Sequence, residues 1–354
     1  MNIYDIDLYK EDLEKVSAAD IPWDKLQDRS ILISGAAGLI GSFLTDTILY
    51  KNLYDGLNCT IYAVGRSEAR AKERFACWAD NDRFHFISHD VNMPFVMSDT
   101  GNIDYIVHLA SNTHPMAYAR DPIGTITTNI IGTRNLLDFA SAHRAVRCVI
   151  ASSNEVYGEN REDTEKFDER YCGYIDCNTV RAGYPEGKRC SEALCQAYIY
   201  QKGLDIVIPR ITRSYGPSLL KDDTKALSQF LKKAAAGEDI VLKSEGTQYY
   251  SYLYVADTVS GLLTVMLKGQ CGEAYNIADD GSNIRLKDLA EMIAGYTGKK
   301  VVYELPSETE RIGYSTATKA LLDNKKIKEL GWKAEYNIQQ GIIRTIDIMR
   351  RCSQ

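Results

Sequence analysis

No stretch of this 354-residue sequence approaches the ~20 consecutive apolar residues that a membrane span requires. Its N-terminus, MNIYDIDLYKEDLEK, lacks the basic start and apolar run of a secretory signal. No Cys-x-x-Cys occurs among the nine cysteines, at 59, 77, 148, 172, 177, 190, 195, 271 and 352, and their number is odd. A disulfide framework is therefore not expected, and the thiols are read as reduced, as in the cytoplasm. The five histidines show no metal-ligand spacing, so no metal is expected. Positive charge is not in surplus either: 42 basic against 48 acidic residues leave a net charge of −6, and no global field favours nucleic acid. An anionic ligand would need a local pocket. Internal repeats and low-complexity segments are missing as well. What is present is ordinary for a globular chain, with 45% hydrophobic and 25% charged residues. The length suits roughly two domains of about 150 residues each, enough to bury a core without staples.

Short apolar runs alternate with helical patterns. Residues 31–34, 60–65, 84–88, 104–110, 146–153 and 205–210 read as strands. Residues 39–52, 67–78, 116–143 and 186–203 read as helices. Such alternation predicts right-handed crossovers and a parallel sheet covered on both faces, a doubly wound α/β fold of Rossmann type. We assign 29–210 to this dinucleotide-binding domain, with a return segment near 252–268, and 1–28 to a helical extension in which Leu8, Leu13 and Val16 pack on the body. Beyond 210 the regularity fades. Helical patterns at 224–237, 256–268, 285–297 and 318–330 mix with short strands, and 211–354 is read mainly as a smaller substrate lobe over the carboxyl ends of the strands.

Two constellations carry chemistry. The first is Ser34-Gly35-Ala36-Ala37-Gly38-Leu39-Ile40-Gly41, which follows the first strand and opens a helix. Glycines there permit a tight turn and close approach of backbone to a pyrophosphate, at the positive end of the helix dipole. The second strand ends Val64-Gly65-Arg66-Ser67, without the acid that often holds an adenosine ribose. Arg66 either faces a 2′-phosphate, favouring NADP, or is a solvent-facing arginine. Asp90, after the third strand, either accepts from the adenine amino group or caps its own loop. The second constellation pairs Ser152-Ser153-Asn154-Glu155-Val156-Tyr157-Gly158 with Tyr184-Pro185-Glu186-Gly187-Lys188. Tyr-x-x-x-Lys places phenol and ammonium on one helical face, and Pro185 suits the first helical turn. A free tyrosine is a poor base near neutrality, but an ammonium, a helix dipole and a positive nicotinamide ring each favour the phenolate. Such a tyrosine can take a proton from a sugar hydroxyl while hydride leaves, with Ser153 holding the same hydroxyl.

Together, the glycine turn, His108-Leu109-Ala110, Ser153 with Val156-Tyr157-Gly158, and Tyr184/Lys188 resemble the extended short-chain dehydrogenase/reductase family of NAD(P)-dependent nucleotide-sugar epimerases, dehydratases and decarboxylases. Thr128 to Thr133, Tyr215-Gly216-Pro217, Tyr254-Val255-Ala256-Asp257 and Leu330-Gly331-Trp332 extend the resemblance from about 30 to 345. It implies Tyr184 as base, Lys188 lowering its pKa and binding the nicotinamide ribose, and Ser153 on the reacting hydroxyl. It implies NAD or NADP bordered by Gly35, Gly38, Leu39, Ile40, Gly41, Arg66, Asp90, Val91, Leu109, Ala110 and Asn129. A homodimer is implied through the helices around 116–143 and 186–203, with Ala193, Leu194, Ala197 and Tyr198 either on that face or in the core.

Glu155 bears on the reaction. Many dehydratases of the family carry Asp-Glu where this chain has Asn154-Glu155. The UDP-glucuronate decarboxylases carry a hydroxyl residue, then Ser, then Glu, and a run resembling Tyr184 to Arg189, so they are the nearest match. Arg213 could pair with a substrate carboxylate. The chain departs from the family twice where a substrate diphosphate would lie. Arg213 stands where Asn is usual, and Tyr250, after Gln248, stands where a phosphate-binding Arg is usual. Asn154, Arg213, Lys225 and Tyr250 are thus the candidate substrate contacts. The expectation is a nucleotide-sugar enzyme that oxidises sugar carbon 4, with decarboxylation first, and epimerisation or 4,6-dehydration as alternatives. An NADPH-dependent ketose reductase and a non-catalytic NAD(P)-binding regulator complete the set.

Overall fold

The computed structural model describes residues 2–96, 103–314 and 317–352. The first half of the chain forms α1 (Asp7–Ser17), β1 (Ser30–Ser34), α2 (Leu39–Asp55), β2 (Thr60–Gly65), α3 (Glu68–Arg74), β3 (Phe84–Ser88) and β4 (Tyr105–His108). It continues with α4 (Pro115–Arg120), α5 (Pro122–Thr127), α6 (Thr133–His143), β5 (Arg147–Ile150), β6 (Ser152–Ser153), α7 (Gly183–Lys202) and β7 (Ile206–Ile211). Then come β8 (Arg213–Tyr215), α8 (Ala226–Ala236), β9 (Ile240–Leu242), β10 (Tyr249–Tyr254), α9 (Val255–Lys268) and β11 (Ala274–Ile277). The last part holds β12 (Asn283–Arg285), α10 (Leu286–Thr297), β13 (Val301–Tyr303), α11 (Glu308–Gly313), β14 (Lys319–Ala320), α12 (Lys325–Glu329) and α13 (Ile338–Cys352).

The central sheet runs β11-β7-β5-β4-β1-β2-β3, with β6 also paired to β7, and every pairing is parallel. Side chains of β1 alternate between its two faces. Ile31 and Ile33 enter a core with α1, α2 and α9, whereas Leu32 enters a second core with Leu136, Leu137 and Ala140 of α6. Both faces are therefore dry, the condition that favours an all-parallel sheet. This is the expected Rossmann-type architecture. The remaining strands form smaller sheets, β12-β10-β14 with β8 beside β10, and β13-β9, which build the C-terminal α/β lobe.

Three sequence expectations are corrected. Residues 116–143 are not one helix: Asp121-Pro122 ends α4 and starts α5, with the Asp121 side chain capping Gly124 N–H, and a π-turn over Thr128–Gly132 precedes α6. Residues 318–330 are helical only over α12, because Lys319 and Ala320 pair with Tyr249 and Tyr250. The return to the central sheet continues past 268 into β11, which pairs with β7.

The first helix is bound into the body. Asp12 on α1 is fully buried and accepts hydrogen bonds from Tyr254 (2.5 Å), Tyr336 (2.6 Å) and Arg344 Nε (2.8 Å). A buried carboxylate is tolerated only with such a full set of donors. Among the described residues no helix is long and apolar enough to cross a membrane.

Candidate active site

β1 is flanked by β2 on one side and β4 on the other, so the chain leaves β1 at the point where strand order reverses. A crevice opens there at the carboxyl ends of the strands. Gly35 has φ +71°, and a Cβ on it would lie 2.7 Å from Ala110 N. A Cβ on Gly41 would lie 2.5 Å from Gly35 O. Gly38 is the N-cap of the 17-residue α2 and has no side chain to satisfy the helix N–H groups. Backbone, not side chain, thus forms this wall, and an anionic pyrophosphate fits it. Leu39, Ile40, Val91, Leu109 and Ala110 line the same cleft. Arg66, Ser67 and Arg70 lie at its β2 end, and Asp90 accepts from Asn92 N–H at 3.0 Å. Asn129 lies behind that wall. It is fully buried and not on the cleft wall, accepting from Ser111 Oγ (2.9 Å) and donating to Thr125 O (2.9 Å). The π-turn places it beneath α7, against Gly187.

The catalytic candidates meet where the cleft passes the start of α7. β6 pairs Ser153 with Ile211 of β7, which presents its hydroxyl at the strand end. Tyr184 and Lys188 sit one turn apart on α7 and are 7% and 5% exposed. Ser153 lines the same cleft as the Tyr184 phenol and favours its phenolate form. Lys188 donates from Nζ to Ala151 O at 2.7 Å. Glu155, in the turn after Ser153, is gripped through both oxygens by Arg181 Nη2 at 2.8 and 2.6 Å. The Arg181 guanidinium lies over Tyr118, 4.6 Å from its ring centroid, and Tyr118 packs on Tyr184 at 5.0 Å. Asn154, Arg213, Lys225 and Tyr250 also line the cleft, which runs on into the C-terminal lobe.

The family model described as "NAD dependent epimerase/dehydratase family" matches residues 31–278. This chain belongs to that family. It is 34% identical over 313 residues to UDP-glucuronic acid decarboxylase 3 of Arabidopsis thaliana, covering 88% of this chain and 86% of the relative. It is 31% identical to UDP-glucuronic acid decarboxylase 1 of Xenopus tropicalis, covering 91% and 72%. The fold is similar to a dTDP-glucose 4,6-dehydratase from Streptomyces venezuelae, with TM-score 0.78 and 24% identity over 91% of this chain and 97% of the other. It is also similar to a UDP-glucuronic acid 4-epimerase from Bacillus cereus, with TM-score 0.76 and 22% identity over 91% and 99%.

In this NAD dependent epimerase/dehydratase fold, the charges at the site differ from the sequence expectation. Burial pushes the Tyr184 phenol up, and the Glu155 charge adds to it, while Ser153 and Arg181 act against them. Lys188 is not among the groups that move it. Burial lowers Lys188 itself to about 8, opposed by the charge of Glu192. The ammonium is turned to the Ala151 carbonyl, and the phenol is held protonated by its surroundings. Three residues escaped the sequence reading. Arg181 stands three residues before Tyr184, a spacing that puts both near the helix start. Tyr118 gave no signal. Glu192, one turn after Lys188, receives Ser152 Oγ (2.5 Å) and a two-point grip from Arg210 (2.9 and 2.6 Å), and so holds β6 and α7 together.

His108, at the end of β4, is fully buried, with Nδ1 2.6 Å from Ser34 Oγ. Burial first, and the Lys188 charge second, push it from 6.5 down to about 3. The folded protein keeps it neutral, while the unfolded chain protonates it below about 6.5. Stability attributable to His108 therefore falls as pH drops from about 6.5 towards about 3, by roughly 2 kcal/mol at about pH 5. Denaturant unfolding at about pH 7.5 and about pH 5 should show this extra loss in the wild type and not in His108→Asn. Parallel losses in the two proteins would refute it.

Proposed function

We propose that the chain is a nucleotide-sugar enzyme that oxidises the sugar carbon-4 hydroxyl, with a uronate as substrate and loss of its carboxylate as CO₂ as the outcome. The carrying observation is the Ser153–Tyr184–Lys188 group set in the cleft wall beside a backbone-lined dinucleotide cradle. A bound NAD supplies a hydride acceptor with a positive ring, the remaining influence that favours the Tyr184 phenolate. Ser153 holds the carbon-4 hydroxyl, and Tyr184 takes its proton as the carbon–hydrogen bond gives up its electron pair. The resulting ketone lies β to the carboxylate. The bond from carbon 5 to the carboxyl carbon then breaks, CO₂ leaves, the electron pair passes to the ketone as an enolate, and carbon 5 takes a proton from solvent water as the enolate collapses back to the ketone. Tyr184 returns its proton to oxygen 4 as the ketone is reduced again. Glu155, tied to Arg181, orients the sugar instead of removing a ring proton. Similarity to the plant and frog decarboxylases supports this reading over the others.

Incubation with UDP-glucuronate should release CO₂ and give a UDP-pentose by mass spectrometry. Loss of water, or inversion at unchanged mass, would transfer the assignment to a dehydratase or an epimerase. One observation favours a second reading of the cofactor: Arg66 and Arg70 line the β2 end of the cleft. They suit a 2′-phosphate, hence NADP and a net reductase. Denaturing the purified protein and identifying the released dinucleotide separates the two. Retained NAD at near one per subunit supports the recycled cofactor; selective NADPH binding supports the reductase. We further propose a homodimer, on the exposure of Ile123, Ile126 and Ile131 beside the start of α7 and of Tyr200 near its end.

A further inference from the structure

A loop of the C-terminal lobe reaches back over the dinucleotide cradle. After β8 the chain passes Gly216-Pro217 and runs from Ser218 to Lys225 before α8 begins. Ser218 Oγ donates to Leu39 O at 3.2 Å, in the first turn of α2. Lys221 meets Glu73 of α3 at 2.9 Å, and Asp222 meets Arg70 of α3 at 3.3 Å. The Thr224 hydroxyl lies 3.1 Å from His114 Nδ1 and accepts from Met116 N–H at 3.3 Å, at the start of α4. The loop therefore touches the segments that follow β1, β2 and β4, the strands whose carboxyl ends frame the cradle. Between these ties, Leu220, Asp223 and Thr224 line the cleft. The loop is thus a strap across its mouth.

The strap is held unequally on its two sides. Toward its own lobe it is rigid. Asp223 is buried and accepts from both the N–H and the Nζ of Lys225 at 2.9 Å. Its carbonyl accepts from Gln229 (2.5 Å) and Lys232 (2.7 Å) of α8, and Lys232 also donates to Lys221 O at 2.8 Å. Toward α3 the ties are exposed ion pairs, with Lys221 and Glu73 91% and 70% exposed and Arg70 and Asp222 46% and 60%. Exposed pairs hold weakly and yield to salt. The strap therefore parts from α3 more readily than from α8. Glu73, Lys221 and Asp222 do not line the cleft, so their charges act on the strap and not on a ligand beneath it.

We propose that residues 218–225 gate dinucleotide exchange: NAD beneath them enters and leaves only when the strap parts from α3, and the Lys221–Glu73 and Asp222–Arg70 pairs set how often it does. Such a gate keeps a cofactor that is reduced and reoxidised within one turnover from escaping in its reduced form. The proposal rests on the dinucleotide reading of the cradle. It is tested on the purified, NAD-loaded protein by following exchange of bound NAD for isotopically labelled NAD, at low and at high salt, with mass spectrometry. Lys221→Glu combined with Asp222→Lys keeps the net charge and turns both attractions into repulsions. At ~20 mM salt this double variant should exchange about 10–30-fold faster while its affinity for NAD changes less than about threefold, because entry and exit quicken together. At ~0.5 M salt its rate should come within about twofold of wild type. Lys221→Glu alone should exchange about fivefold faster, and adding Glu73→Lys should restore the rate to within about twofold. The exposure of these side chains keeps the variants folded. Exchange in the double variant within about twofold of wild type at low salt overturns the gate. So does faster release matched by an equal loss of affinity, which would make the strap a ligand contact, or a Lys221→Glu effect that Glu73→Lys leaves in place. A wild type that holds neither NAD nor NADP overturns the dinucleotide reading together with the gate.

Discussion

Tyr184→Phe should lower turnover at least about 10³-fold while dinucleotide affinity stays within about twofold, since the deleted hydroxyl moves the proton and does not bind the cofactor. The phenol is buried and packed on Tyr118, so phenylalanine fills the same space and the loss is chemical. The elevated phenol adds a second expectation. Because burial and Glu155 hold the proton on Tyr184, wild-type turnover should climb with pH through the neutral range, as a growing fraction becomes phenolate. In Tyr184→Phe the residual rate should lack that rise. Following reduced nicotinamide by absorbance in single-turnover mixing reads both effects. Turnover near the wild-type level in the variant would remove Tyr184 from the chemistry.

Glu155 and Arg181 should behave as one unit. Their side chains are only 21% and 15% exposed, and the arginine holds both carboxylate oxygens. Glu155→Gln and Arg181→Met are each expected to cost about 100-fold in kcat/KM, and the double variant no more than about threefold beyond the worse single one. Arg181→Met should also lower stability by roughly 1–3 kcal/mol, because it strands a half-buried carboxylate beside Tyr184; the double variant should recover part of that loss. A double-mutant cycle on kcat/KM with denaturant unfolding of the same four proteins makes the measurement. Losses that multiply to about 10⁴-fold would show two independent contacts, and Glu155 would then be free to act on the substrate by itself.

Much of the fold was readable because its causes are local. TIYAVG at 60–65 is a strand in sequence and structure alike, since its β-branched and apolar run is bounded by turn residues. The glycine turn was readable for a similar reason: strand, turn and helix are contiguous, and Gly35 and Gly41 leave no room for a Cβ. The long helix over 116–143 misled because helical periodicity continues through Asp121-Pro122, where proline sterics break it, and through the π-turn at Thr128–Gly132. The 318–330 pattern misled because pairing with β10 overrode helical preference.

Within the site the same division holds. Tyr184 and Lys188 are four residues apart, and helix geometry alone puts them on one face. Glu155 and Arg181 are 26 residues apart, and Tyr118 lies in another layer, so only packing could join them. The electrostatics of Tyr184 were likewise out of reach of sequence, because pKa depends on burial and on charges brought close by the fold; the ammonium expected beside the phenol turned to Ala151 O instead. By itself, then, the sequence determined the doubly wound sheet, the phosphate turn and the Tyr-x-x-x-Lys pair, all products of contiguous spacing. The tertiary structure decided which charges neutralise each other, Glu155 with Arg181 and Lys225 with Asp223, and laid the Arg213 guanidinium on Tyr250 with its Nη1 buried and unpartnered. Partner choice among buried charges is set by distance through space, and that distance exists only once the chain has folded.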